Sequence, residues 1–145
     1  MLVLLVYLVR VTYGNGIFVA VGDFGTILTS LDCVKWTKQV LGTKEHLYGV
    51  TYSNGVFVTV GCDGSILTSR DGMNWTAQDS WTEISLDGVT YGNGVFVAVG
   101  GFGTIMTSQD GVKWTKQVLG TISDLYDVTY GNGVFVTVGD FGTIL

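Results

Sequence analysis

At 145 residues, 47% hydrophobic and only 13% charged, with 22 glycines and no proline, the chain can bury one sizeable core. Low charge with many β-branched and aromatic residues excludes a disordered segment, and glycines spread along the chain point to tight turns between buried strands. Twelve acids against seven bases give a net charge of −5 with no basic cluster, so neither nucleic acid nor an anionic membrane surface is an expected partner.

The chain begins MLVLLVYLV, nine apolar residues that run straight into Arg10. A membrane span needs about 20 residues, and a secretory signal needs a basic start and a small-residue cleavage site. The segment is read as a strand entering the fold, with a signal remnant as the alternative. VTYGNG then starts at Val11 and returns, once as VTYSNG, at Val50, Val89 and Val128, each step being 39 residues. Residues 11–39 and 89–117 differ at only five of 29 positions, which indicates recent duplication or deliberate construction.

Each unit reads as four short strands. In the second unit the first covers about 47–52. Asn54-Gly55 is the dipeptide of a tight hairpin, in which both central residues need positive φ. Residues 56–60 form an unbroken apolar strand suited to a sheet covered on both faces. Asp63-Gly64 turns the chain into a third strand at 65–69, and Asp71-Gly72 into a fourth at 73–77, whose alternation suits an outer edge. Four antiparallel strands at this period, hidden on both faces, stack radially. The predicted fold is therefore an all-β propeller of 39-residue blades, about 3.7 per chain, forming one domain with repeats near 1–39, 40–78, 79–117 and 118–145. A linear β-solenoid is the competitor, but its coils are usually shorter and lack Asn-Gly hairpins. No segment shows helical periodicity.

The turn between the third and fourth strands carries S-x-D-G-x-x-W: Ser69, Asp71, Gly72 and Trp75; Ser108, Asp110, Gly111 and Trp114; and Ser30, Asp32 and Trp36, where Cys33 replaces the glycine. It resembles a shortened Asp-box, the repeat of sialidases, bacterial BNR-like propellers and photosystem II assembly-factor propellers, with one residue fewer between Asp and Gly. The resemblance covers nearly the whole chain. It implies that the box lies on the face opposite any active site. Physically the motif is a staple: Ser and Asp oxygens accept backbone N–H groups, glycine supplies the unusual dihedral, and Trp buries a ring between blades. A catalytic centre needs different groups converging once; a structural turn recurs.

Chemistry is sparse. The sialidase resemblance implies three arginines clamping a carboxylate, and the chain has two, Arg10 and Arg70. The Asp-Phe-Gly at 23–25 and 140–142 lack the companion motifs of a kinase and read as turns. His46 is the only histidine and has no nucleophile in a strained elbow beside it. Cys33 and Cys62 fall at opposite ends of the strands, about 17 Å apart, too far for a disulfide. Asn74-Trp75-Thr76 matches a glycosylation sequon. No catalytic residue, metal or cofactor is expected.

The strands are nearly copied between units, whereas the inter-blade links and adjoining turns vary. Loops on a rigid scaffold carry binding. The candidate binding residues are Trp81, Glu83, His46, Glu45 and Asp124, with Asp87 and Asp127 as further acids on the links. Trp81 has only Gly42 and Gly120 as counterparts; it stacks on a sugar ring, anchors a protein partner, or simply packs between blades. The fourth unit stops in its third strand. The N-terminal segment would have to cross about 14 Å to supply the fourth, three spacings of about 4.8 Å. The expected function is a non-catalytic scaffold for binding or assembly, with two copies forming one ring of about eight blades. A four-bladed monomer and a fragment of a longer propeller are the alternatives, as are a glycan-binding lectin and, further off, a glycoside-hydrolase fragment.

Overall fold

The computed structural model describes residues 6–40, 43–118, 120–142 and 144. Most of the N-terminal apolar segment, together with Gly42, lies outside them. The first unit contains β1 (Leu8–Gly14), β2 (Ile17–Gly22), β3 (Ile27–Ser30) and β4 (Thr37–Gln39). The second contains β5 (Leu47–Ser53), β6 (Val56–Gly61), β7 (Ile66–Ser69) and β8 (Thr76–Gln78). The third contains β9 (Leu86–Gly92), β10 (Val95–Gly100), β11 (Ile105–Ser108) and β12 (Thr115–Gln117), and the fourth β13 (Leu125–Gly131) and β14 (Val134–Gly139). Each of the first three is a four-stranded sheet in sequence order, antiparallel throughout; the fourth pairs β13 with β14, and an isolated bridge joins Val138 to Ile144.

The Asn-Gly hairpins form as read, with Asn54 at φ 53 and Gly55 at φ 77. The outer strand differs from its predicted 73–77. Met73 and Asn74 are held inside the preceding turn because both backbone N–H groups donate to Asp71 Oδ1 at 2.8 Å. Pairing with β7 therefore starts only at Thr76.

Sheets stack face to face in chain order, and three buried layers join them. Val19, Val21 and Ile27 of the first sheet pack on Leu47, Phe57 and Leu67 of the second. Val58, Val60 and Ile66 then meet Leu86, Phe96 and Met106. Val97, Val99 and Ile105 meet Leu125 and Val128. Each sheet thus has a leading face of valines and an isoleucine and a trailing face of leucine, aromatic and methionine side chains. The inner strands β1, β5, β9 and β13 pack on one another in succession about the axis. Among the described residues, no buried layer joins the leading face of the fourth sheet to the trailing face of the first. Val134, Val136 and Val138 on the one, and Leu8, Val11 and Tyr13 on the other, are exposed.

Candidate functional site

Strand direction places the Asn-Gly turns and the S-x-D turns at one end of the sheets, and Asn15 Nδ2 reaches the Arg70 carbonyl across that end at 3.5 Å. The S-x-D turns are staples. In the second, Ser69 Oγ accepts the Gly72 N–H at 2.8 Å, Asp71 accepts Met73 and Asn74, and Trp75 Nε1 donates to the Gly72 carbonyl at 2.8 Å. Gly72 and Gly111 sit at φ 78 and 81, and Cys33 adopts φ 64 in their place. The N–H groups of Asn74 and Met73, with the Asn74 side chain, hold Asp71 well below the usual carboxylate range; Asp32 and Asp110 are lowered by the equivalent backbone donors. Trp114 is buried between the second and third sheets, and Trp75 packs between the first and second. Trp36 remains half-exposed because the trailing face of its sheet is uncovered.

The opposite end carries the one-turn 3₁₀ segments Asp23–Gly25, Cys62–Gly64, Gly101–Gly103 and Asp140–Gly142, with the links packed on them. A methyl group at Gly64 would stand 2.0 Å from the Thr82 carbonyl oxygen, so turn and link form one close-packed unit. In all four turns the middle residue is left-handed: Phe24, Asp63, Phe102 and Phe141, at φ 52 to 55. Such a conformation strains a residue with a side chain, here Phe three times with its ring exposed. Sequence reading treated these as plain turns and missed the exposed Phe rings.

The residue just before each of β5, β9 and β13 stitches back to the turn of the preceding sheet, and each stitch differs. His46 Nδ1 lies 3.3 Å from Asp23 Oδ1 and 3.3 Å from the Phe24 backbone nitrogen; the neutral ring accepts the N–H, whereas the protonated ring donates to Asp23. Ser85 Oγ contacts Cys62 Sγ at 3.8 Å, and Asp124 Oδ1 accepts the Phe102 N–H at 2.8 Å. A β-bulge follows in every inner strand, at Val9, Tyr48, Asp87 and Tyr126. Bulges re-aim side chains, and this position varies between units. Burial, with Asp124 nearby, raises Asp87. Burial and Cys62 raise Tyr48, and a 2.5 Å hydrogen bond to Asp140 pushes Tyr126 up to about 12.

Asp87 and Asp127 are inside β9 and β13 and not on the links where sequence reading put them; the strands begin one or two residues earlier, at Leu86 and Leu125. Trp81 does not pack between blades. It is 84% exposed at φ 58, its N–H donating to Asp79 Oδ1 at 2.8 Å. Its counterpart Gly120 has φ 69, so the link requires the left-handed region and a Trp meets that need under strain. Glu83 is exposed on the same link. Glu45 lies with Cys62 and Asp63, their ligand atoms within 4.8 Å of one another. No hydrogen bond joins Trp81 or Glu83 to His46, Glu45 or Asp124 among the described residues. Both cysteines are free, Cys33 exposed and Cys62 half-buried. Grooves of about 350, 410 and 400 Å³ recur at the end of the S-x-D turns beside the outer strands of the first three sheets. Their repetition marks them as products of stacking around a three-residue outer strand.

No protein-family model and no curated sequence matches the chain. Several solved structures match in shape. One is YCF48 bound to D1 peptide, 19% identical with TM-score 0.74 over 93% of this chain and 47% of that one. Another is the computationally designed Ika4 protein, 12% identical with TM-score 0.78 over 96% and 89%. A glycosyl hydrolase from Bacteroides ovatus is 13% identical with TM-score 0.58 over 91% and 59%. The chain therefore spans about half the length of the YCF48 structure, and identities this low show fold alone. That fold is a β-propeller, a repeat scaffold built from four-stranded blades. No helix among the described residues is long and apolar enough to cross a membrane.

Proposed function

We propose that the chain is a non-catalytic propeller scaffold whose ring is completed by a second copy of itself. One observation carries this. The valines equivalent to those that the three internal junctions bury are exposed on the leading face of the fourth sheet, and Leu8, Val11 and Tyr13 are exposed on the trailing face of the first. Each face is the complement of the other, because the same residues already mate inside the chain. Two copies joined end to end twice form a closed ring with two-fold symmetry, near eight blades, and remove both exposed apolar faces. Mass measurement by light scattering tests the reading: a particle of twice 15.5 kDa is expected, and a monomer at micromolar concentration sinks it.

The turn-and-link end then presents the varied residues of both copies on one rim. In such a ring the two Arg70 lie in the turns after β7, at the other end from the links, which leaves two Arg10, short of the three-arginine clamp of a sialidase, and this supports binding over catalysis. A glycan ligand is the second reading, favoured by Trp81, which is exposed in a strained conformation that a glycine would adopt freely. Binding on a glycan array that disappears with Trp81→Ala would establish it, with Glu83, His46, Glu45 and Asp124 as further contacts to test. Binding to an apolar peptide, unaffected by sugars, would assign the rim to a protein partner instead. The YCF48 structure, which holds a peptide, lends that outcome support.

A further inference from the structure

The inner strands end in Gly14, Ser53, Gly92 and Gly131, and the residue before each is a tyrosine: Tyr13, Tyr52, Tyr91 and Tyr130. Successive residues of a strand point to opposite faces, so on every sheet the two series stand back to back. The tyrosines are on the trailing faces, since Tyr52 packs with Leu47 and Phe57 against the first sheet. The final residues are therefore on the leading faces.

Inside the chain the tyrosine of one sheet seats on the glycine of the sheet before it. A methyl group on Gly14 would stand 2.1 Å from the Tyr52 ring, and one on Gly92 would stand 2.1 Å from Cγ of Tyr130. Both glycines are buried. Neither has a positive φ, so the ring and not the backbone conformation calls for glycine there. At the middle junction Ser53 takes the glycine's place and Tyr91 still packs on the buried layer, so a side chain as small as serine's is accepted.

Gly131 departs from this pattern. It too has no positive φ, it is exposed, and a methyl group on it would meet nothing within 4 Å. Its counterpart is Tyr13, 60% exposed on the first sheet. Yet the Tyr13 ring already has the pose of the seated ones. It lies 4.7 Å from Phe18 with the planes at 52°, against 4.7 Å and 51° for Tyr130 on Phe135.

We propose that Tyr13 of each copy seats on Gly131 of the other, and that this contact selects the orientation in which the copies join. The inference rests on the self-association proposed above and adds the residues that direct it. Tyr13 belongs to a trailing face and Gly131 to a leading one. Two leading faces, or two trailing faces, bring together glycine with glycine or ring with ring, and neither forms the contact. The Tyr13 ring is held by Phe18 before association, so little freedom is lost when it seats. A closed pair has two such contacts, and any substitution acts twice.

The test uses the complete 145-residue chain in sedimentation equilibrium. Gly131 has no neighbour within the chain near its missing side chain, so variants there keep the fold. Gly131→Leu should weaken the dimer by about thirtyfold or more, because each seam is overpacked. Gly131→Ser should stay within about fivefold of the original, as Ser53 does its part inside the chain. Tyr13→Ala should cost about tenfold or more and Tyr13→Phe under about threefold, since the ring makes the contact. The double variant Y13A/G131L should dimerise more tightly than Gly131→Leu alone, because removing the ring makes room for the leucine. A monomeric original chain overturns the self-association reading and this inference with it. A dimeric chain indifferent to Gly131→Leu, one weakened as much by serine as by leucine, or a double variant no tighter than Gly131→Leu overturns the contact alone.

Discussion

Two aspartates at opposite ends of the same blade stack show how differently the molecule treats one residue type. Asp71, in the turn after β7, is an acceptor surrounded by backbone donors, and its carboxyl is lowered. Asp87, on the bulge of an inner strand at the other end, is half-buried near Asp124 and its carboxyl is raised. The first is copied at Asp32 and Asp110 with the same geometry. The second has Val9, Tyr48 and Tyr126 at its equivalent positions. A residue that satisfies the backbone of its own turn has one solution, and duplication preserves it. A residue aimed at the open rim has no such constraint, and that rim is where this scaffold can differ from one blade to the next.

The sharpest break of that comparison is to remove each carboxylate. Asp71→Ala strands the Met73 and Asn74 N–H groups and should cost about 2 kcal/mol, lowering Tm by several degrees in a chain of this size. Asp87→Asn removes a carboxylate that its surroundings disfavour, so Tm should hold or rise. If the two variants melt alike, the division between stapling and free ends is wrong.

Acid titration should expose the same division next. A carboxylate whose folded pKa lies below its unfolded value contributes stability that is complete above about pH 4 and drains away as pH falls towards the folded value. Asp32, Asp71 and Asp110 all act in this sense, with Asp71 persisting to the lowest pH because Asn74 Nδ2 adds a 2.7 Å bond to its second oxygen. Asn74→Ala should raise the pH at which the second turn begins to fail, as followed by carboxyl NMR shifts.

A smaller gain is expected at the strained link. Trp81→Gly relieves the left-handed backbone and should raise stability by about 1 kcal/mol, seen as an increase in the chemical denaturation midpoint. A stabilised variant that has lost ligand would mean that Trp81 is retained for binding at the expense of stability. Smallest of all, Cys33→Gly restores the residue its turn geometry favours and should add about 0.5 kcal/mol. In the original chain a thiol reagent should label exposed Cys33 well before half-buried Cys62, which has Ser85 against its sulfur.

Much of the fold was legible in the chain because its signals are local. Asn54-Gly55 specifies its hairpin through the dihedrals of two residues, and Ser69, Asp71 and Gly72 close their turn through bonds spanning three. The misplaced outer strand shows the same locality from the other side: alternation at 73–77 resembled a strand, but the Asp71 carboxylate had already claimed two of its N–H groups. The candidate site was less legible. Trp81 was conspicuous as the exception to a glycine, whereas the exposed Phe rings and the bulge residues became visible only through backbone geometry. His46 was named as a lone loop histidine; its position against Asp23 and Phe24 depends on two sheets meeting.

The sequence by itself determined the repeat, the turns and the inward alternation, since each depends on dihedral preferences and bonds within a few residues. Only the tertiary structure decided which copy of each side chain is covered. Val19, Val58 and Val97 are 0, 0 and 6% exposed, while Val136, the same residue in the same strand of the fourth sheet, is 36% exposed. Nothing local separates them. A sheet face is hidden by its neighbour, and burial belongs to the pair of surfaces and not to the residue.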